Sequence, residues 1–346
     1  MSEMDIQLFL NQSTGGSNLP GHKYLRELIS PNLAALKNVV VVAHRGWGKT
    51  ILLRDIGFQI TEEYQDIRVL YFDLEAIYDK NTFIRKFIQK LYRTFSAKVP
   101  DHLNLREPDI SMMSLTETLA SRRKVKLILF ISNFQQIDRF KNSRQVLSKL
   151  NYCWRMQKNC AYCISGHNRH FFKTHFRGPG KPFPSFAKVY YQYKNISRSH
   201  ISYVKGLFFN AGKTIERDAA AYISLVTDNH LHFLQVLCWH AYMRTDHTCT
   251  RSIAEAAFKC MALESEPYTT HFLEQLTEKQ FNYLRALLND TQRICSRESL
   301  EKYDLGRSAN VARIKKNLEK KGILEVNREF TVIIDPFLRY RLEQYL

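Results

Sequence analysis

The chain has 346 residues, room for two or three domains at ~150 residues each. With 45% hydrophobic, 12% aromatic and an ordinary 24% charged residues, the composition excludes disorder as the main state and supports packed cores. Lysine and arginine number 51 against 33 aspartates and glutamates, a surplus of +18, and that makes a polyanion the default class of partner.

The opening Met-Ser-Glu-Met-Asp is acidic, no long apolar run follows it, and it lacks the form of a secretory signal. The longest apolar stretches, such as 38–43, are far too short to span a bilayer, so the expected setting is the cytoplasm with no membrane partner. Seven cysteines form an odd, scattered set, better read as reduced thiols than as a disulfide framework. Cys160, Cys163, His167 and His170 have a zinc-like spacing. The segment 159–165 nevertheless reads as a strand, and residues three apart on a strand point to opposite faces, so the two thiolates do not converge and a metal is not expected.

In chain order, a turn-rich lead-in precedes a helix expected over 22–29. Asn38-Val-Val-Val-Val-Ala43 is a β-branched run without polar alternation, the pattern of a parallel strand covered on both faces. A glycine-containing loop, a helix over 50–64 with Ile51, Leu52, Ile56 and Ile60 at helical spacing, and a strand over 68–73 complete a βαβ pattern. A helix at 82–95, a polar stretch, a strand at 125–131, a helix at 143–156 and a strand at 160–165 continue the alternation. The fold class expected is therefore α/β, a doubly wound parallel sheet. After a short strand near 189–193 the pattern turns to helices alone over 199–263, read as a lid. A hinge is expected at Glu266-Pro267, and from residue 277 the order helix, helix, helix, strand, strand is that of a winged helix. The corresponding division is a P-loop core at 1–196, a helical lid at 197–266 and a winged helix at 267–346.

The loop after the first strand, Ala43-His44-Arg45-Gly46-Trp47-Gly48-Lys49-Thr50, matches G-x-x-x-x-G-K-[ST] except that Ala43 stands in the first glycine's place. In such a loop successive N–H groups and a helix N-terminus cradle phosphate, Lys49 reaches the β- and γ-phosphates, and the Thr50 hydroxyl takes a place on Mg²⁺. ATP or ADP with Mg²⁺ is the cofactor expected. A second Gly-Lys-Thr at 212–214 has no strand before it and reads as a helix stop at Gly212 with an N-cap at Thr214.

An ATPase also needs a carboxylate at the end of a neighbouring apolar strand, to hold Mg²⁺ through water and orient the attacking water. Here Leu127 to Ile131 runs into Ser132 and Asn133. Serine brings no charge and asparagine cannot act as a general base, so hydrolysis is expected to be slow or absent. Asp73, at the end of the neighbouring strand, and Asp138 are the candidate replacements. Each also has a plain structural reading: a strand-end cap for Asp73, a solvated helix residue for Asp138.

The order of P-loop, apolar strand into Phe-Gln-Gln-Ile, Ser165-Gly-His-Asn-Arg-His170, helical lid and winged helix resembles the prokaryotic AAA-like ATPases of archaea and Bacteroidetes. These are related to the STAND and origin-recognition groups. Arg45-Gly-Trp-Gly-Lys-Thr50 is similar to the family's R-R-W-G-K-T, and 305–315 is similar to its winged helix. The family usually reads I-D-E-F-Q where this chain has Ile131-Ser-Asn-Phe-Gln135. The resemblance implies a sensor segment at Ser165 and Arg169, with Arg169 able to approach the γ-phosphate. Its alternative is a helix-starting arginine paired with a carboxylate or solvated.

In the winged helix, Ser308 is the expected N-cap of a helix running to Lys321 and stopped by Gly322. Val311, Ile314 and Leu318 fall on one face, leaving Arg313, Lys316 and Lys320 on the other. These, with Arg307, would neutralise phosphates of double-stranded DNA, Asn310 or Asn317 would reach a base edge, and Arg328 a minor groove. The alternative is a solvated basic helix on a protein-binding domain. A second basic region, 169–181, interleaves cations with aromatics and reads either as a partner loop or as buried aromatics. Three functions remain open: a nucleotide switch coupled to DNA, an ATPase that takes its carboxylate from elsewhere or from a self-associated neighbour, and a protein scaffold with a relic P-loop.

Overall fold

Five parallel strands form the sheet of the first of two compact units, in the order β2-β3-β4-β1-β5. The computed structural model describes residues 22–192, 199–289, 294–326 and 331–345. The strands are β1 Val39–Val42, β2 Ile67–Asp73, β3 Lys126–Ser132, β4 Cys160–Gly166 and β5 Lys188–Tyr191. Around them lie α1 His22–Ala34, α2 Lys49–Glu63, α3 Lys80–Thr94, α4 Leu115–Arg123, α5 Ser143–Arg155 and α6 Arg169–Phe176.

Every residue of β1 and β4 is buried, as a run without polar alternation requires. Alternate side chains divide between two cores. Val40, Val42, Leu127, Leu129, Tyr162 and Ile164 face the aromatic side built by α3, α5 and α6. Val39, Val41, Ile128, Phe130, Ala161 and Cys163 face α1 and α2. Ile51 is on the outer side of α2, 40% exposed, so the buried stripe is Leu52, Leu53, Ile56 and Ile60.

The stretch expected to be merely polar between α3 and β3 holds a 3-10 turn, Ile110–Ser114, and α4. The basic region 169–181 is not an open loop with exposed aromatics. Its first half is α6, with Asn168 accepting from Phe171 N at 3.0 Å, and Phe171, Phe172, Phe176 and Phe183 are buried in the core. Cys160 and Cys163 are buried too, and desolvation pushes both thiols up, so they are inert neutral groups.

The second unit contains α7 Ser199–Asn210, β6 Thr214–Ile215, α8 Arg217–Val226, α9 Leu231–Met243, β7 Thr248–Cys249 and α10 Arg251–Glu264. It continues with α11 Glu266–Glu274, α12 Glu278–Asn289, α13 Arg297–Lys302, α14 Ser308–Lys320, β8 Leu324–Val326, β9 Thr331–Ile333 and α15 Pro336–Glu343. The first part is not purely helical, because β6 and β7 pair in parallel. The second Gly-Lys-Thr lies at that pair. Gly212 has φ +82 at the helix stop, but Thr214 opens β6 and Glu216 is the cap of α8. Lys213 donates to Tyr242 O at 3.1 Å and Thr245 O at 2.5 Å, closing the C-terminal carbonyls of α9.

At Glu266-Pro267 there is no extended linker: Ser265 ends α10 and directly begins α11, with proline in the first turn. The antiparallel pair β8–β9 follows three helices, and α15 then returns as an element the sequence pattern did not announce. Phe337 belongs to the core of α7 to α10, whereas Leu338 and Leu342 belong to that of α12 to α14. Phe337 lies 5.5 Å from Phe258 with stacked rings, and Arg341 pairs with Glu266 at 2.6 Å. Among the described residues, no helix is long and apolar enough to cross a membrane.

Candidate functional site

The loop expected to cradle phosphate leaves β1 at the end of the sheet where β3 and β4 also terminate. Gly46 and Gly48 have φ +74 and +75, the left-handed region that side chains disfavour. Ala43 is fully buried and is not among the residues of positive φ. The missing first glycine therefore costs nothing in backbone conformation. The Ala43 N–H instead donates to Gly166 O at 3.1 Å, continuing the β1–β4 ladder.

Lys49 begins α2 and folds its side chain back, Nζ donating to Ala43 O at 3.4 Å. Burial, and secondarily the Arg45 guanidinium, lower its pKa to about 8, while Asp73 acts in the opposite direction. Arg45 reaches across the rim to Glu75 at 3.6 Å. His44 is half-buried and Thr50 exposed. Trp47 is buried, and its carbonyl accepts from Gln192 Nε2 at 2.8 Å. Gln192, itself anchored through its N–H to Val42 O at 2.9 Å, fixes the loop from the β5 side. No motif marks this glutamine; only its place just after a strand beside the P-loop strand could have pointed to it.

At the end of β3, Ser132 pairs in register with Asp73 of β2. Asn133 adopts a left-handed conformation, φ 55, and its Nδ2 donates to Asp73 Oδ1 at 2.9 Å. The same Oδ1 accepts from Glu75 N at 2.8 Å. Asp138 is placed differently. It sits in the 3-10 turn Phe134–Arg139 and pairs with His175 Nε2 of α6 at 3.2 Å.

At the top of β4, Ser165 is fully buried beside Val41. Gln135 Nε2 meets His167 Nδ1 at 3.0 Å. Burial, then Arg45 and Lys49, hold His167 down at about 4, so its ring is neutral at pH 7. Gly166 lets Gln135 cross, since a Cβ there would fall 2.1 Å from Gln135 Oε1. Arg169 is half-buried in the first turn of α6. Among the described residues, the buried Ser165 Oγ and Gln135 Oε1 have no hydrogen-bond partner.

These residues fit a magnesium nucleotide. Two cations, Arg45 and Lys49, close enough that Arg45 depresses Lys49 and both depress His167, lie at a loop of two left-handed glycines and a helix start, an arrangement that favours a polyphosphate. Asp73 supplies a carboxylate within the field of Lys49.

In the winged helix, Val311, Ile314 and Leu318 are buried and Arg307, Arg313, Lys316, Asn317 and Lys320 exposed. The cap differs from expectation: Arg307 holds the N-cap position, without a side-chain bond, and Ser308 is the first helical residue. The Asn310 amide is engaged on both sides, Nδ2 to Leu305 O at 2.9 Å and Oδ1 from Arg313 Nη2 at 2.9 Å. Arg328 lies outside the described residues.

The sheet order, the loop and the terminal helix-and-strand domain define a P-loop ATPase fold with a C-terminal winged helix. The same fold is found in solved archaeal origin-recognition and Walker-type ATPases. A Walker-type ATPase of Pyrococcus abyssi superposes with TM-score 0.70 at 15% identity, covering 92% of this chain and 95% of that one. The ORC2 protein of Aeropyrum pernix, solved as ADPNP and ADP complexes, gives 0.63 at 13% identity, covering 96% and 95%. The ORC1 protein of the same organism, solved in complex with DNA, gives 0.52 at 12% identity, covering 94% and 93%. Residues 268–344 match a family model described as "Probable winged helix domain". No curated protein matches the sequence.

Proposed function

We propose that the chain is an ATP-binding switch: Mg²⁺–nucleotide held at 43–50 sets the disposition of a helical lid, 197–266, and of a DNA-binding winged helix, 267–346, with hydrolysis slow or absent. The observation that carries this reading is the bond between Asn133 and Asp73. At the strand end where an ATPase keeps its own acid, the chain has an uncharged amide that holds a neighbouring strand's carboxylate.

Lys49 would bind the β- and γ-phosphates, Thr50 would contribute its hydroxyl to the metal, and Ser132 and Asn133 would hydrogen-bond metal-bound water. When bound, the metal neutralises phosphate charge. What this chain lacks is a base of its own at the β3 end: Asn133 cannot take a proton, and the carboxylate beside it, Asp73, belongs to the neighbouring strand and is tied through Oδ1 to Asn133 and to Glu75 N. The nucleotide complexes named for the Aeropyrum ORC2 protein support the cofactor, and the DNA complex named for its ORC1 protein supports the partner. On the winged helix, Arg307, Arg313, Lys316 and Lys320 would meet phosphates, with Asn317 better able than Asn310 to reach a base edge. The cytoplasm is the compartment this function requires.

Titration of a labelled ATP analogue with and without Mg²⁺, followed by phosphate release on the same sample, tests the reading. Tight binding with release no faster than in Lys49→Ala is expected. Steady release above that control means a working ATPase, and failure to bind any nucleotide means a relic loop.

A further inference from the structure

The positive charge of this chain is not where the winged-helix reading needs it. Residues 22–192 carry 29 lysines and arginines against 13 aspartates and glutamates, a surplus of +16. Residues 199–346 carry 20 against 18, a surplus of only +2. The imbalance is sharpest from the end of the core into the start of the second unit: from Arg139 through Ile215 there are 15 lysines and arginines and not one aspartate or glutamate, 11 of the cations falling within the core at 139–192. Neutral drift in a solvated surface mixes signs, whereas a 77-residue stretch without an acid keeps a surface clear of self-pairing.

The fold gathers part of that stretch onto one face. Helix α5 buries Val146, Leu147, Leu150 and Trp154 and turns Arg144, Lys149, Tyr152 and Arg155 outward. The segment after α6 is fastened alongside: Arg144 Nη2 donates to Gly180 O at 3.3 Å, and Arg155 Nη2 donates to Pro184 O. Lys181 is thereby brought to the rim of α5, and both Lys181 and Arg144 act on His175 as positive neighbours. Lys141 precedes the helix and is exposed. In the middle, Tyr152 is 73% exposed. Two acids lie near this face: Asp138, paired with His175 at 3.2 Å, and Asp109, which caps the 3-10 turn and feels the charge of Lys149.

We infer that the face of the P-loop core formed by Lys141, Arg144, Lys149, Tyr152, Arg155 and Lys181 binds the phosphate backbone of duplex nucleic acid without reading its sequence. Arg144 is held by a backbone carbonyl, and Arg155 by a backbone carbonyl and the Asn151 amide; this fixes both guanidinium groups at the rim while leaving each with further N–H donors for phosphate. The 13-residue helix spans ~20 Å, long enough to follow several phosphates at one charge per ~1.7 Å of duplex axis. An exposed ring among the cations offers contact with the sugars of the backbone. An anionic membrane would equally attract the charge, but apart from Tyr152 and Met156 the exposed face of α5 is polar, which provides little to insert into a bilayer. The inference goes beyond the winged-helix reading and holds whether or not that helix touches DNA.

The test uses the full chain and a fluorescent 30-base-pair duplex of arbitrary sequence, with affinity measured across a salt series. The substitutions are Lys141→Gln, Lys149→Gln and Lys181→Gln together, which spare the two arginines that brace the fold; the control is Arg313→Gln, Lys316→Gln and Lys320→Gln. The core triple should lower the slope of log affinity against log salt by about 2–3 and weaken binding about 10- to 100-fold. Its melting temperature and its affinity for an ATP analogue should be those of the parent. A core triple with parental slope and affinity overturns the inference, and if the control alone loses binding, the winged-helix reading stands while this one falls. No DNA binding by the parent overturns it too, as does loss of binding by the core triple to phosphatidylserine vesicles but not to DNA.

Discussion

Asn133 of the β3 end donates its side-chain amide to the carboxylate of Asp73 at the end of β2, 2.9 Å away. Two strand ends are thereby tied where the attacking water of an ATPase would be oriented. An acid at position 133 would place two carboxylates against each other. Asn133→Glu is therefore expected to destabilise the nucleotide-free protein by about 0.5–1 kcal/mol, a modest figure because Asp73 is exposed. Adding Asp73→Asn should relieve the electrostatic part of that cost and leave the part that comes from glutamate in the left-handed backbone of position 133. A double-mutant cycle by urea unfolding reads the coupling directly.

If turnover is limited by the missing acids, supplying them should raise it. Ser132→Asp with Asn133→Glu is expected to increase phosphate release at least about tenfold over the parent, against the 10²–10⁴ range that positioned acid–base groups contribute. Lys49→Ala on that background should return it to the parental value. Release unchanged by the two acids would locate the deficiency elsewhere in the site.

Ala43 offers a test of the loop itself. Because its backbone does not need φ > 0, restoring the consensus glycine brings no conformational relief. It should instead cost about 0.5–1 kcal/mol through the freedom gained by the unfolded chain. Ala43→Gly should lower the melting temperature without tightening nucleotide binding. Tighter binding would show that the loop is strained by the alanine.

Much of the core was legible because its strands are short β-branched runs buried on both faces, and a loop with two obligatory glycines follows the first. Three features were not. Helix α4 buries only Thr116, Leu119 and Ala120 and so leaves little periodic trace, and α15 begins at a proline and packs into two cores at once, a pattern no single amphipathic stripe describes. Gln192 acts through one bond to a loop carbonyl and has no motif. The total charge is plain in the composition, but the spacing of basic residues draws attention to α14 alone, whereas +16 of the surplus falls within residues 22–192. A hydroxyl near a helix start is a preference only: the β6–β7 pairing takes up Thr214, and α14 starts one residue early, with Ser308 inside it and Arg307 at the cap.

His22 begins α1 buried, 2% exposed. Desolvation is the main cause that lowers its pKa from 6.5 to about 4, with Arg26 acting in the same direction and the Trp47 backbone against it. Above pH 6.5 the ring is neutral in both folded and unfolded chains and contributes no pH dependence. As pH falls from 6.5 towards 4 the unfolded chain takes up the proton first, so stability is lost across that window and the loss is complete below it. The loss from this residue should be on the order of 3 kcal/mol, and in His22→Gln the same window should be flatter. Chemical denaturation at a series of pH values from 7 to 4.5 measures it.

Phe337 joins the two cores of the second unit. Its ring stacks on Phe258 and meets Phe233 edge-on at 5.8 Å, while its neighbours Leu338 and Leu342 anchor the same helix to the winged helix. The ion pair of Arg341 with Glu266 and the bond from Arg339 Nη2 to Val226 O at 2.9 Å reinforce the joint from the helix's other positions. Removing the ring leaves a cavity between two bodies that can each retain most of their own core. Phe337→Ala is accordingly expected to cost about 3–5 kcal/mol and to split one calorimetric transition of residues 199–346 into two, since the coupling that makes them unfold together is concentrated at this contact. Leu342→Ala, which deletes a side chain wholly inside the winged-helix core, should lower stability without separating the transitions. The comparison distinguishes loss of coupling from loss of packing.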